Sequence, residues 1–177
     1  MGPNSSSPED SKSMMCMFTT PMDGYLGIKN ERSALYVHLL FALKDYNLGQ
    51  FEANFISIIF HAFQFLLHHW SELVEDIRNG TINEAYEISD DIRKSLIKSL
   101  GGKDSKRADW IQQEFEKGTK DIAIRIWPKL KCILSVSTGP FQLYDDKLCD
   151  LIPKSVPRYS PLYAGKYFKI DTVFMNI

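Results

Sequence analysis

Two short polar turns carry the residue types best suited to hold a phosphorylated ligand. Ser137-Thr138-Gly139 and Tyr163-Ala164-Gly165 each follow a candidate strand. In an open parallel sheet, ligands sit outside the carboxyl ends of the strands. A Ser/Thr/Gly turn at that place offers hydroxyls and backbone N–H groups to an anion. Neither segment is a Walker loop or a GxGxxG loop, so an ordinary strand-to-helix turn accounts for the spacing equally well. His68-His69 with Glu72 would put imidazole and carboxylate ligands one helical turn apart, though the same residues also read as a solvated helix face. His38 and His61 lie on mostly apolar segments and read as structural histidines. No Ser/His/Asp or Cys/His arrangement supports a hydrolase. The three cysteines, Cys16, Cys132 and Cys149, form no CxxC pair and have no metal-ligand spacing, so no metal site is expected from them.

The elements around these turns follow from periodicity. Ala34, Leu35, His38, Leu39, Ala42 and Leu43 recur at helical spacing, and Asn47-Leu48-Gly49 ends the run. Phe51, Phe55, Ile58, Ile59, Ala62, Phe63, Phe65, Leu66 and Trp70 predict a second helix, apolar on most sides, which Leu73, Val74 and Ile77 prolong to Asn79-Gly80. Polar residues interrupt it every two or three positions, so it does not read as a membrane span. Ser89-Asp90-Asp91 and Asp104 are candidate helix starts, and residues 122–127 predict a short helix closed by Pro128. Residues 130–136 then alternate as a strand covered on both faces. After Ser137-Thr138-Gly139-Pro140 comes a helix bearing Phe141, Tyr144, Leu148 and Leu151, with Asp145-Asp146 on its charged surface. Residues 156–162 form another strand, completing a strand–turn–helix–strand unit of a parallel sheet. Residues 14–18 are a further candidate strand. The expected fold class is therefore α/β: a helix-rich partial domain with a few mostly parallel strands.

Composition narrows the partners. With 177 residues, 44% of them hydrophobic, the chain can bury one real core. A net charge of -1 lacks the basic face that nucleic-acid binding requires. The odd, scattered cysteines suit a reducing, cytoplasmic compartment. The Ser/Pro-rich start is neither a signal nor a transit peptide, and residues 1–13 are expected to be disordered. Asn79-Gly80-Thr81 matches a glycosylation sequon but reads as a turn.

Several longer segments carry a resemblance. ALYVHLLFAL (residues 34–43), Phe65-Leu66 to Trp70, LVEDIRNGT (73–81), RIWPKLK (125–131), STG (137–139) and PLYA (161–164) occur in that order. Together they resemble the auxin-responsive acyl-acid amido synthetases, whose plant members join jasmonate or auxin to amino acids, and the wording is most similar to the family's animal branch. The resemblance implies an adenylate-forming-type fold, here incomplete, over residues 14–164. It also implies a two-step reaction in which a carboxylic acid and Mg-ATP give an acyl-adenylate and an amine then displaces AMP. Carried over residue by residue, Thr138 and Gly139 match the turn beside nucleotide and acyl group, and Tyr163 and Ala164 match the start of the motif whose tyrosine meets adenine. Ser57, Ile59 and Phe63 match positions lining the acyl pocket, with core packing the competing reading for all three.

The chain also departs from the family pattern. Its phosphate loop is not found upstream of Met14, and its ribose motif and lid domain are not found downstream. Ala164 runs into Gly165-Lys166-Tyr167 where the family has Ser-Glu, so the Mg²⁺-binding glutamate is absent. Residues 165–177 are expected to be a divergent tail: codons for Ala164-Gly165-Lys166-Tyr167 can contain CAG followed by GTAAGTAT, a splice-donor consensus. The expectation is a truncated ligase without catalytic residues, inactive and needing no cofactor of its own. The alternatives are a non-catalytic binding module or regulatory short isoform, which would bind a partner such as the full-length enzyme, or self-associate, through its uncovered sheet edge and apolar helices, and a chain too exposed to be stable.

Overall fold

The computed structural model describes residues 19–160. The candidate strand at 14–18, Cys16, the end of the strand predicted at 156–162, Tyr163, Ala164 and the tail lie outside the described residues. The chain forms α1 (Met22–Gly27), α2 (Glu31–Lys44), β1 (Gln50–Phe55) and α3 (Ile56–Asn79), then α4 (Asp90–Leu100), α5 (Ser105–Glu116) and α6 (Ile122–Ile126). It continues with β2 (Cys132–Val136), a 3-10 turn (Gly139–Phe141), α7 (Gln142–Leu148) and β3 (Arg158–Tyr159). The strands make one sheet of order β1-β2-β3, parallel throughout. The fold is the expected helix-rich α/β arrangement, and β2, α7 and β3 are its strand–helix–strand unit.

One expected helix begins later than its apolar spacing suggests. Phe51 and Phe55 belong to β1, not to the helix that follows. Phe51 and Ala53 are buried while Gln50, Glu52 and Asn54 are half-buried, which is the period of a strand. Two phenylalanines four apart satisfy the helical period as well, and pairing with β2 decides between them. The register runs Gln50 to Cys132, Phe51 to Ile133 and Glu52 to Leu134, then slips so that Phe55 rather than Asn54 stands opposite Val136. β2 is also not covered evenly on both faces. Ile133 and Ser135 are buried and Cys132, Leu134 and Val136 half-buried, so a serine occupies the inner row where the alternation suggested the apolar set.

α3 packs on the inner face of the sheet and joins it to α2 and α5. Phe63 meets Phe51 edge-on at 5.4 Å, and Phe51 meets Trp127 at 5.1 Å. Polar groups with no exposure tie the helices together. The Trp127 indole N–H donates to the Ala42 carbonyl at 2.8 Å, and Arg107 donates to the carbonyls of Leu43 at 2.6 Å and Ile126 at 3.1 Å. These bonds reach carbonyls in the last turns of α2 and α6, where a helix runs out of its own donors; the Ala42 carbonyl also accepts from the Asp45 N–H at 3.2 Å. The Arg107 guanidinium also lies over the rings of Tyr46 and Trp110, at 4.6 and 4.9 Å. Where α2 faces the end of α3, the Tyr36 hydroxyl donates to Asp76 at 2.6 Å, and Thr81 donates to the same carboxylate at 2.9 Å. The N–H of Asn83 donates to the Tyr36 oxygen at 2.9 Å, and the Tyr86 ring stacks on Tyr36 at 3.8 Å.

The helix boundaries mostly follow the expected signals. Gly80 ends α3 at φ 68°, and a Cβ there would lie 2.5 Å from the Gly102 carbonyl carbon, so both conformation and space require glycine. Asp104 caps α5 through Arg107 N. Ser89 occupies the N-cap of α4 without making the expected side-chain bond, and Asp90 and Asp91 fill the first turn.

Candidate functional site

The carboxyl ends of the strands come together at Phe55 and Val136, which are paired in register. From this edge the chain leaves β1 directly into α3 and leaves β2 through Ser137 and Thr138 into the 3-10 turn. Thr138, Gly139 and Pro140 are exposed. Gly139 has φ 63°, and a Cβ there would meet nothing within 4 Å. Glycine is needed for the backbone conformation alone, and the absence of a side chain leaves the approach to the turn open. The turn is closed by the N–H of Phe141 donating to the Thr138 carbonyl, at 3.4 Å.

Aromatic rings flank the turn. Phe55, 43% exposed, stacks on Phe141 with centroids 4.6 Å apart and planes at 20°. Tyr144 follows one turn into α7 and packs against Phe60 at 5.5 Å and His61 at 6.0 Å. The Lys147 ammonium lies over Phe60 at 5.7 Å. The edge therefore offers a hydroxyl, exposed backbone and an aromatic wall. That combination suits a planar ligand carrying a phosphate or carboxylate better than a purely apolar one.

The candidate residues fall into separate environments. Thr138 and Gly139 sit at the open edge. Ser57 is in the first turn of α3 and half-buried. Ile59 and Phe63, each 1% exposed, lie one helical turn apart in the packed core, with Phe63 also 6.2 Å from the Trp127 ring. Tyr163 and Ala164 lie outside the described residues. Sequence reasoning missed Phe55 as a site neighbour because it placed that residue inside the helix. The register slip that moves Phe55 has no signature in the residue pattern.

The charged groups are mostly engaged elsewhere. Asp145 accepts from Arg158 at 2.9 Å, so it is not the free surface charge its position in α7 suggested. Arg158 also donates to the carbonyls of Pro153 and Ile152, each at 2.8 Å, holding the α7–β3 connection. Among the described residues no group of three His, Cys, Asp or Glu side chains could hold a metal ion. His68 Nδ1 turns to the Gln64 carbonyl at 2.6 Å, and His69 Nδ1 to Glu72 at 3.1 Å, so the two rings do not converge. His38 shares a 2.8 Å hydrogen bond with the Thr20 hydroxyl and packs edge-on to Tyr25; burial lowers its pKa to about 4. His61 is exposed rather than structural. No helix among the described residues is long and apolar enough to cross a membrane.

Comparison with known proteins places this chain in a family. Indole-3-acetic acid-amido synthetase GH3.17 of Arabidopsis thaliana is 31% identical over 159 residues, which cover 88% of this chain and 26% of that protein. Indole-3-acetic acid-amido synthetase GH3.15 of the same plant is 34% identical over 135 residues, 75% of this chain and 22% of the relative. Among solved structures, a GH3.15 acyl acid amido synthetase superposes with a TM-score of 0.75 at 27% identity, over 84% of this chain and 27% of that one. A second structure, AtGH3.15 in complex with 2,4-DB, gives a TM-score of 0.65 at 28% identity, over 73% of this chain and 23% of that one. The chain spans about a quarter of the length of the curated relatives it matches. Residues 2–157 match the GH3 family N-terminal domain, and the chain belongs to that family.

Proposed function

We propose that this chain derives from an ATP-dependent acid–amine ligase and supplies the turn of its N-terminal domain that faces nucleotide and acyl group. The single observation carrying this reading is the exposed Thr138-Gly139 turn at the carboxyl ends of parallel strands, in a chain of this family. In the parent reaction a small carboxylic acid attacks the α-phosphate of ATP to give an acyl-adenylate and pyrophosphate. An amine then attacks the acyl carbon and releases AMP. On this chain the Thr138 hydroxyl and the exposed backbone about Gly139 are placed to donate hydrogen bonds to the nucleotide. Phe55 and Phe141 wall the turn, with Ser57 close by in the chain. Ile59 and Phe63 act behind this wall, shaping the pocket from the core, and Tyr163 and Ala164 match the start of the family motif whose tyrosine meets adenine.

The chain by itself does not complete the reaction in this reading. Gly165-Lys166 stands where the family has the Ser-Glu that would bind Mg²⁺. Residues 14–164 are the family segment, of animal-branch type by the wording of its motifs, and 165–177 a divergent tail. The free thiols of Cys132 and Cys149 accord with a cytoplasmic setting. The alternative role, a non-catalytic module that binds through its surface, draws on the exposed Phe55, Leu143 and Tyr159.

ATP–pyrophosphate exchange over a panel of carboxylic acids tests the reading, with GH3.17 as the positive control. No exchange is expected from this chain, while ATP should shift the amide resonances of Thr138 and Gly139. Exchange at a rate like the control's would overturn the inactivity, and silent Thr138 and Gly139 resonances would overturn the site.

A further inference from the structure

Phe55 sits where local physics asks for a different residue. It is the N-cap of α3, with extended φ/ψ and no side-chain capping bond. Ser, Thr, Asp or Asn there would accept a hydrogen bond from the first turn. Instead the position carries an aromatic ring left 43% exposed. A conflict between local preference and fold marks places where something other than stability is served.

The strand register indicates what is served. Between Glu52 and Phe55 β1 uses three steps, while β2 uses two between Leu134 and Val136. Without that irregularity Asn54 would face Val136. With it, Phe55 occupies the last rung of the ladder, and its ring lies flat on Phe141, two residues beyond Gly139. Strand bulges beside functional sites commonly re-aim one side chain in this way.

The turn needs such an anchor. Thr138, Gly139 and Pro140 are exposed, the Gly139 Cβ position is empty of neighbours, and the closing bond from Phe141 N to Thr138 O is long at 3.4 Å. We infer that Phe55 is a positioning residue: its stack on Phe141 fixes the Thr138-Gly139 turn against the strand ends and so presents the nucleotide-facing groups in one conformation. This rests on the nucleotide reading of the turn proposed above, which the experiment tests separately.

The test uses amide hydrogen exchange and ATP titration by NMR on the full chain. The amides of Phe141 and Gln142 close the turn onto Thr138 and Gly139. An aromatic pair of this kind changes an opening equilibrium by roughly 2- to 10-fold. Phe55→Ala should therefore speed exchange at those two amides by about that factor, and Phe55→Tyr should restore the original rate. Phe55→Asn supplies the missing cap, so it should raise the denaturation midpoint while still loosening the turn. A merely structural role predicts the opposite pairing, with turn exchange following global stability. The ATP-induced shifts at Thr138 and Gly139 should need several-fold more ATP in Phe55→Ala and Phe55→Asn, but not in Phe55→Tyr. Unchanged exchange at Phe141 and Gln142 in folded Phe55→Asn would overturn the positioning role. No ATP-induced shift in the unsubstituted chain would instead overturn the nucleotide reading, with the exchange data still reporting the anchor.

Discussion

Replacing Tyr36 with Phe removes one oxygen from the centre of the contact between α2 and the end of α3. The ring shape is kept, and with it the 3.8 Å stack on Tyr86. Two hydrogen bonds are lost: the donation to Asp76 at 2.6 Å and the acceptance from Asn83 N–H at 2.9 Å. A bond to a charged acceptor contributes about 1.5–3 kcal/mol, and a buried N–H left without a partner costs about 1–3 kcal/mol. Asn83 N can reach water in part, so the expected loss is about 2–4 kcal/mol. Urea denaturation followed by tryptophan fluorescence reads this as a lower midpoint at unchanged slope. A double-mutant cycle with Asp76→Asn should give a coupling of about 1–3 kcal/mol. The pH dependence supplies an independent check. Burial holds the Asp76 carboxyl above its ordinary pKa, and the Tyr36 and Thr81 donors pull it back. A raised folded-state pKa means that the unfolded chain releases its proton first, so stability falls as pH rises from the unfolded carboxylate value to the folded one. Phe at position 36 removes one of the two donors and should widen that window upward. A loss below about 0.5 kcal/mol, with an unchanged pH profile, would refute the assignment of this network as a principal tie between the helices.

Other perturbations separate the kinds of force in the fold. Burial pulls His38 down to about 4 from its ordinary value near 6.5, so its contribution is complete above pH 6.5. Protonation of the unfolded state then removes up to about 3 kcal/mol as pH falls to 4; His38→Leu should flatten that part of a stability profile measured by denaturant titration. Gly80→Ala adds a Cβ 2.5 Å from backbone, whereas Gly139→Ala adds one in open space. Thermal melts should show a loss of about 1–2 kcal/mol for Gly139→Ala from the left-handed backbone alone, and at least twice that for Gly80→Ala. Trp127→Phe removes the indole donor to the Ala42 carbonyl, which keeps the Asp45 N–H, and leaves a cavity, which should lower stability by about 1–3 kcal/mol in the same urea assay.

How much of this was legible in the sequence depends on whether local pattern or tertiary pairing decides an element. α2 is apolar at helical spacing and capped by Asn30, whose side chain accepts from Ser33 N, so its position follows from the residues. β2, the turn after it and α7 follow as well, because strand alternation ends abruptly at Ser137-Thr138-Gly139-Pro140. β1 does not. Its QFEANF carries both a strand period through Phe51 and Ala53 and a helix period through Phe51 and Phe55, and only hydrogen bonding to β2, some eighty residues away, distinguishes them. Arg107 was illegible for a related reason. Nothing local indicates that a charged residue on an amphipathic helix will be fully buried, since its partners are carbonyls of Leu43 and Ile126, contributed by other helices.

The segments that carried the family resemblance are chiefly those that hold the fold together. In residues 73–81 Asp76 and Thr81 form the Tyr36 network and Gly80 turns the chain. In residues 125–131 Trp127 ties α6 to α2, and Arg125 donates to Glu114 at 3.0 Å. In residues 34–43 Tyr36 and Ala42 are the partners of those same groups. Many interactions depend on these positions at once, so they hold the fold without specifying chemistry. Thr138, Gly139 and Phe55 are exposed and hold few of those contacts. The two sets should dissociate on substitution. Changes at Asp76 or Trp127 should lower stability and leave ATP-induced shifts at Thr138 intact in whatever fraction remains folded. Phe55→Ala or a change at Thr138 should alter those shifts with little loss of stability. Shifts that fell in parallel with stability in both sets would mean that the turn is ordered by the core as a whole, and that the strand-end aromatics have no separate part in holding it.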